Sequence, residues 1–338
     1  MTAVFEDTGG PGRYARGACK TINRRPTQLT RSPAIIMTTR INTVSVIGSG
    51  FMGSQIALQC ASFGKSVWMY DVDDDAHRSS EVEQARFLDA MIADGFVAAD
   101  RRQPILDCVR RTESLEQAVR DSDLVIEAVT ENLSVKCDVF QRLDAACPQH
   151  AILATNSSSI RISRIEVATN RPERVLNTHF VQPIWKHPFV ELMPGTQTSG
   201  ETMQSVREFM LDIGVIPVLV RKESTGFIYN RIWRAVKKEA LRVVDSGVAT
   251  IADVDRTWMM QMETAMGPFA MMDVVGLDVV RDIEMIYFQE SADPSDAPPK
   301  VLLDKIAQGD LGVKTGKGFY SYPDPEWESP QFLKQASK

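Results

Sequence analysis

Residues 43–53 read TVSVIGSGFMG. β-Branched residues dominate 43–47, as in a short buried strand, and glycine ends the run. The next six residues, Gly48-Ser49-Gly50-Phe51-Met52-Gly53, match GxGxxG. From Ser54 to Gly64, Ile56 sits beside Cys60 and Ala57 beside Ala61 at the i,i+4 spacing of a helix. A second strand, 66–70, ends at Asp71. In such a unit Gly48 permits the tight turn, Gly50 lets the backbone approach a pyrophosphate, and Gly53 lets the helix pack close to the strand. The helix N-terminus then offers N–H groups and positive dipole to the phosphates, with Phe51 and Met52 in its first turn.

Asp71 lies eighteen residues past the last glycine, at the carboxyl end of the second strand. Its carboxylate is placed to accept hydrogen bonds from the adenosine ribose hydroxyls. A 2′-phosphate would meet that charge together with Asp73, Asp74 and Asp75. Two like charges about 4 Å apart repel by roughly 4 kcal/mol at an effective dielectric near 20. Arg78 is too far along the next helix to reverse this. The expected cofactor is therefore NAD rather than NADP.

Outward from this unit, strands and helices alternate. Residues 124–129 (LVIEAV) suit a buried parallel strand, and 133–143 an amphipathic helix. Strands follow at 151–155, 174–180, 188–193 and 216–220. The rhythm predicts an α/β fold, a Rossmann-type, doubly wound, mostly parallel sheet. Ligands in that architecture sit outside the carboxyl ends of the strands, where Asp71, Glu131, Ser158 and His179 fall. From Ser224 onward strand signals nearly vanish and 227–244 has a long helical pattern. The expected organisation is a basic arm at 1–40, an NAD-binding domain at 41–222, an all-helical domain at 223–330 and a tail at 331–338. Trp233, Trp258, Met259, Met260, Met262, Met266, Met271 and Met272 read as core or subunit interface. Residues 290–300 (ESADPSDAPPK) read as a flexible, proline-rich loop.

Composition removes several other classes. Apolar runs reach only about eight residues, far short of the roughly 20 that span a bilayer. A net charge of -6 lacks the basic footprint of a nucleic-acid binder. Five cysteines without CxxC spacing and four scattered histidines suit free thiols rather than structural zinc. The arm at 1–40 holds seven basic and two acidic residues in a Gly/Pro/Thr-rich stretch, a composition that reads as disordered. Organelle targeting, a tail for a partner or membrane surface, or a true start at Met37 would each account for it.

Alcohol oxidation with a nicotinamide needs a base for the hydroxyl proton. His179 is the histidine at a strand end in this half of the chain. Glu191, on the next strand, is placed to reach the imidazole, fix its tautomer and stabilise imidazolium.

Seven segments, in order, carry a resemblance: VSVIGSGFMGSQIA, DLVIEAVTENLSVK, ATNSSSI, NTHF…P…VELMPG, ESTGFIYNR, MGPFAMMDVVGLD and LGVKTGKGFYSY. From about residue 41 to 330 the chain resembles the 3-hydroxyacyl-CoA dehydrogenase family. The resemblance implies a catalytic pair at His179 and Glu191, a substrate-orienting serine at Ser158 and an asparagine at Asn230, with the active site between the two domains. It places Glu131 and Lys136 near the nicotinamide and its ribose. It further implies a cytoplasmic homodimer joined through the helical domain, acting in fatty acid metabolism on a short-chain L-3-hydroxyacyl-CoA.

Two departures bear on the substrate. Gln182 stands where the family usually has asparagine, followed by Ile184-Trp185-Lys186-His187, which would reshape the pocket. Residues 74–95 hold no lysine, so that surface is a weak receiver for the polyanionic coenzyme A tail. A free 3-hydroxy acid (a sugar acid or carnitine) or a diketo compound is the alternative, with Lys186 and His187 able to meet a small carboxylate. A third reading is a structural protein on a dehydrogenase scaffold, like lens lambda-crystallins. The complete set of His179, Glu191, Ser158 and Asn230 argues against it.

Overall fold

A computed structural model describes residues 41–334. The N-terminal arm and residues 335–338 lie outside the described residues. β1 (Thr43–Ile47) turns into α1 (Phe51–Ser62), and β2 (Ser66–Tyr70) lies parallel to β1, with Thr43 beside Ser66 and Ile47 beside Tyr70. After α2 (Asp74–Ala93) and α3 (Arg102–Asp107) comes β3 (Val109–Thr112), a strand absent from the sequence reading. Its sequence, VRRT, carries two arginines and resembles a loop, a composition tolerated because β3 is an edge. Then follow α4 (Leu115–Val119), β4 (Leu124–Glu127), α5 (Leu133–Ala146), β5 (Ile152–Thr155), β6 (Val175–Phe180), β7 (Phe189–Pro194), α6 (Gly200–Asp212) and β8 (Ile216–Leu219).

The eight strands form one sheet in the order β3-β2-β1-β4-β5-β6-β7-β8. β1 to β6 run parallel in the 3-2-1-4-5-6 order of a dinucleotide-binding sheet. β7 is antiparallel to β6, and β8 is parallel to β7. A parallel return needs a crossover of a dozen or more residues. Only residues 181–188 separate β6 from β7, so the chain turns straight back.

Both faces of the sheet are covered, which is why β4, β5 and β6 are buried at every position. Val44 and Val46 of β1 pack with Ile56 of α1, Phe87 of α2 and Phe209 of α6. Ile47 and Val125 pack on the opposite side with Leu115 of α4 and Phe140 of α5.

The helical C-terminal domain comprises α7 (Tyr229–Asp245), α8 (Ile251–Met262), α9 (Pro268–Val275), α10 (Leu277–Ser291) and α11 (Lys300–Ala307). Residue 222, where the sequence places the domain boundary, falls in the connection between β8 and α7. Leu241, Phe269, Met272, Leu277 and Leu302 form the core, closed by Phe319 and Tyr320 of the KTGKGFY turn. Two buried carboxylates organise it. Asp255 accepts from the Phe269 and Ala270 N–H groups at the start of α9 and from the Tyr320 hydroxyl. Asp273 accepts from the Phe319 and Tyr320 N–H groups and from the Tyr322 hydroxyl. A Cβ on Gly318 would lie 2.1 Å from Asp273 Oδ1, so that turn requires glycine.

Residues 290–300 differ from their reading as a flexible excursion. Asp296 within them is gripped by Arg234 and Lys238 of α7. At the tail, Phe332 is buried, and Arg256 lies over its ring at 4.8 Å. Among the described residues no helix is long and apolar enough to cross a membrane, and no cluster of His, Cys, Asp and Glu is arranged to hold a metal.

Candidate active site

The glycine turn is shaped by its neighbours. Gly48 has φ +106°, and a Cβ there would lie 2.6 Å from the Ala128 carbonyl oxygen. A Cβ on Gly53 would lie 1.9 Å from the Gly48 oxygen, whereas one on Gly50 would enter open space. That space fronts the first turn of α1, whose cap residue, Gly50, supplies no side-chain hydrogen bond. Phe51 is exposed and packs edge-on against Phe87 at 5.0 Å. At the end of β2, Asp71 Oδ2 accepts from the Ser49 N–H at 2.6 Å, tying the acid to the glycine turn. Arg78 is committed to Asp75.

A cleft of about 560 Å³ opens beyond the strand ends between the sheet and α7, α9 and α10. Met52, Glu131, Lys136, Ser158, His179 and Asn230 all line it. Antiparallel pairing sets His179 directly opposite Glu191, and Nδ1 of the buried imidazole lies 2.9 Å from Glu191 Oε2. The second oxygen, Oε1, accepts from the Ile228 and Tyr229 N–H groups at 2.8 Å each. Glu191 thus also caps α7, a helix without a side-chain cap of its own. Burial pushes its carboxyl up, but the His179 contact and the two helix N–H groups outweigh this and hold it below the usual carboxylate range. The Ser158 hydroxyl has no hydrogen-bond partner among the described residues, and neither does the Asn230 side-chain amide. Both are free for a ligand.

Glu131 anchors the serine turn. Its Oε1 accepts from the Ser157 and Ser159 hydroxyls and from the Ser158 and Ser159 N–H groups, at 2.6–3.0 Å. Lys136 is fully buried, with Nζ 2.7 Å from Glu127 Oε1 and 3.3 Å from Glu131 Oε2. Burial raises the Glu131 carboxyl, but Lys136 and the serine donors hold it below its ordinary value.

Comparison with known proteins decides what carries this site. A profile described as "3-hydroxyacyl-CoA dehydrogenase, NAD binding domain" matches residues 43–224, and one described as "3-hydroxyacyl-CoA dehydrogenase, C-terminal domain" matches 226–322. The chain belongs to the 3-hydroxyacyl-CoA dehydrogenase family. Among its curated relatives, a probable 3-hydroxybutyryl-CoA dehydrogenase of Bacillus subtilis is 34% identical over 84% of this chain and 98% of that protein. The 5-formyl-3-hydroxy-2-methylpyridine 4-carboxylate 5-dehydrogenase of Mesorhizobium japonicum is 31% identical over 86% and 94%. The crystal structure of (S)-3-hydroxybutyryl-CoA dehydrogenase from Ralstonia eutropha superposes with a TM-score of 0.78 at 33% identity, covering 84% of this chain and all of that one.

The cofactor of this 3-hydroxyacyl-CoA dehydrogenase family member is NAD. The open space over Gly50, the first turn of α1 and the Asp71 carboxylate fit its pyrophosphate and ribose. Residues 181–188 contribute less to the cleft than their sequence suggests. Gln182 lines it, but Ile184 is buried in the sheet core. Trp185 donates to Asp94, and Lys186 pairs with the same carboxylate at 3.0 Å. His187 is exposed and does not line the cleft. Asp94, at the end of α2, draws this loop away from the site. Conversely, Trp233, Met266 and Met271, read as core or interface, line the cleft, and Met272 lines it while also belonging to the helical-domain core, as read.

Phe227, stacked on His179, was not found by sequence reasoning, and no local signal marks it. Glu127 was also missed, although an acid inside a fully apolar strand signals a buried cation nearby.

Proposed function

We propose that the protein oxidises an L-3-hydroxyacyl-CoA of short chain, such as 3-hydroxybutyryl-CoA, to the 3-ketoacyl-CoA, and catalyses the reverse reduction. One observation carries this reading: His179, held by Glu191 at 2.9 Å, lines a cleft that it shares with Ser158 and Asn230. Glu191 occupies Nδ1, which leaves Nε2 of His179 for the substrate hydroxyl. NAD supplies the acceptor for the hydride leaving C3. His179 takes the hydroxyl proton as the C3–O bond gains double-bond character, and returns it in the reduction. Ser158 and Asn230 donate to the oxygen that alternates between hydroxyl and carbonyl. Asn230 comes from the helical domain, residues 223–330, so a productive site requires both domains.

A free 3-hydroxy acid or a diketo compound is the second reading, favoured by the lysine-free surface of α2 and by the carboxylate in the name of the Mesorhizobium relative. We propose that the protein acts as a homodimer in the cytoplasm, with an organelle reached through the basic arm at 1–40 as the alternative. The outward faces of α7 and α8 support the dimer, since they expose Ile232, Met260 and Met262. Rates with NADH on acetoacetyl-CoA and on free 3-keto acids test the substrate. A preference for the thioester supports the first reading and a preference for the free acids replaces it. Inactivity on both, with NADH tightly bound, would point to a non-catalytic role.

A further inference from the structure

His77 lies in the first turn of α2, beside the junction of the glycine turn and Asp71. Its Nε2 is 3.3 Å from the Asp71 backbone nitrogen, and its Nδ1 is 3.3 Å from the Ser49 hydroxyl. The first contact fixes the tautomer. A backbone N–H can only donate, so Nε2 is the accepting nitrogen, and the ring proton sits on Nδ1, from which it donates to Ser49. Ser49 in turn gives its N–H to Asp71 Oδ2 at 2.6 Å. Three residues thus hold one another around the carboxylate that meets the ribose. Helix formation gives no reason for a histidine here. Asp73 already caps α2, and a group that can become a cation is unfavourable in a first turn. A leucine would fill the space but leave the Asp71 N–H and the buried Ser49 hydroxyl without this partner.

On its outer side the imidazole lines a cavity of about 540 Å³. The charges around it are of both signs. Asp71, Asp73, Asp74 and Asp75 belong to its own turn. On α2, Arg78 is paired with Asp75, and Glu81 lies 3.6 Å from Arg111 of β3. Glu113 follows β3, and α4 brings the uncharged Ser114 and Gln117, with Glu116 turned to the Ser114 hydroxyl at 3.0 Å. Both arginines are therefore engaged by carboxylates other than Asp71.

We infer that His77 is a positioning residue that sets the choice between NAD and NADP through Asp71. With the ring neutral, Asp71 is held in place as a lone carboxylate, which accepts from the ribose hydroxyls and repels a 2′-phosphate. Once the ring gains a proton, Nε2 becomes a donor and can no longer receive the Asp71 N–H. The hold on the turn is lost, and a positive charge stands beside the carboxylate. The ribose is then gripped less firmly, and the repulsion of a 2′-phosphate shrinks. Imidazole is the side chain that changes charge between about pH 5 and 8. The preference for NAD is accordingly strongest in neutral to alkaline solution and relaxes in acid. The inference concerns the cofactor alone and stands apart from the identity of the substrate.

Fluorescence titration of the full-length protein with NADH and with NADPH, at about pH 5.5 and about pH 8, tests it. A 2′-phosphate changes charge near pH 6 by itself, so the wild type is read against His77→Gln. That amide can accept from Asp71 and donate to Ser49 but cannot become a cation. The NADPH/NADH ratio of dissociation constants should fall on acidification at least about fivefold more in the wild type than in His77→Gln. At about pH 8 the two should have the same ratio. His77→Leu should bind NADH about threefold to tenfold more weakly at that pH, and His77→Gln should not. If His77→Leu fails to fold, the wild type against His77→Gln decides. Equal pH courses in those two, or a leucine variant that binds NADH as the wild type does, would overturn the inference.

Discussion

Phe227 stacks on His179 with ring centroids 4.9 Å apart and planes within 15° of parallel. The backbone reaches this position only by an unusual path. Gly226 has φ +72° and Phe227 has φ +53°, the second uncommon for an aromatic residue. The next two N–H groups, those of Ile228 and Tyr229, close on Glu191 Oε1. The connection between sheet and helices is thus bent so that one ring covers the imidazole and one helix end holds its carboxylate.

Gly226→Ala would disturb this bend. A Cβ there would lie 1.9 Å from the Tyr287 hydroxyl, in a backbone region unfavourable to alanine. We expect a loss of about 1–3 kcal/mol in denaturant unfolding and a lower kcat. Part of the stability should return in a Tyr287→Phe background. An alanine variant as stable as the wild type would show that the turn is not constrained.

His179→Ala should bind NADH normally and lose about 10²–10⁴ in turnover. Glu191→Gln keeps an oxygen for the α7 N–H groups but removes the charge beside the ring. With imidazolium less stabilised, the acidic limb of the kcat/KM profile should move to lower pH and kcat should fall at least about tenfold. An unaltered profile would remove Glu191 from the proton transfer.

Lys136→Met should be among the more destabilising changes in the NAD-binding domain. It leaves Glu127, wholly buried, without its cation. Removing one partner of a buried pair typically costs about 3–5 kcal/mol. Adding Glu127→Gln should recover much of it, which equilibrium unfolding of the two variants would show.

Asp71→Ala removes both the ribose acceptor and the carboxylate that holds the Ser49 N–H. NADH affinity should drop by about tenfold or more, consistent with the loss of hydrogen bonds to a charged group. NADPH, relieved of the repulsion, should approach parity. Fluorescence titration with both cofactors checks this, and an unchanged NADH/NADPH ratio would contradict the role of Asp71.

Glu191 and Asp255 should carry opposite signs in the pH dependence of stability. The Glu191 carboxyl is depressed, so its stabilisation is present above the unfolded value of 4.5 and is lost as the pH falls through its folded value. Burial raises the Asp255 carboxyl from 3.8 to about 6, so the folded state favours its neutral form. Its contribution is fully present below about 4 and declines as the pH rises to about 6, by about 3 kcal/mol in all. Stability measured from pH 4 to 7 should therefore fall in the wild type relative to Asp255→Asn. A constant difference would show that Asp255 does not titrate in this range.

Much of the fold is legible because its signals are local. The strand, GxGxxG and Asp71 lie within thirty residues, and their roles follow from turn geometry and charge. β3 escaped because an edge strand need not be apolar. The outward course of Trp185 and Lys186 escaped because Asp94, which draws them, is some ninety residues away in sequence. The cleft lining by Met266, Met271 and Met272 escaped because helical periodicity identifies an apolar face without identifying what it meets.

By itself the sequence determined the mostly parallel sheet, apart from its edge strand β3, and its cofactor, and it singled out His179 and Glu191 as the candidate proton-transfer pair, since these depend on residue type and spacing along the chain. Tertiary structure alone decided that β7 runs antiparallel, which sets His179 across from Glu191. It also joined Glu191 to the first turn of α7. Such relations depend on which groups lose water together, and that is fixed only when distant segments pack.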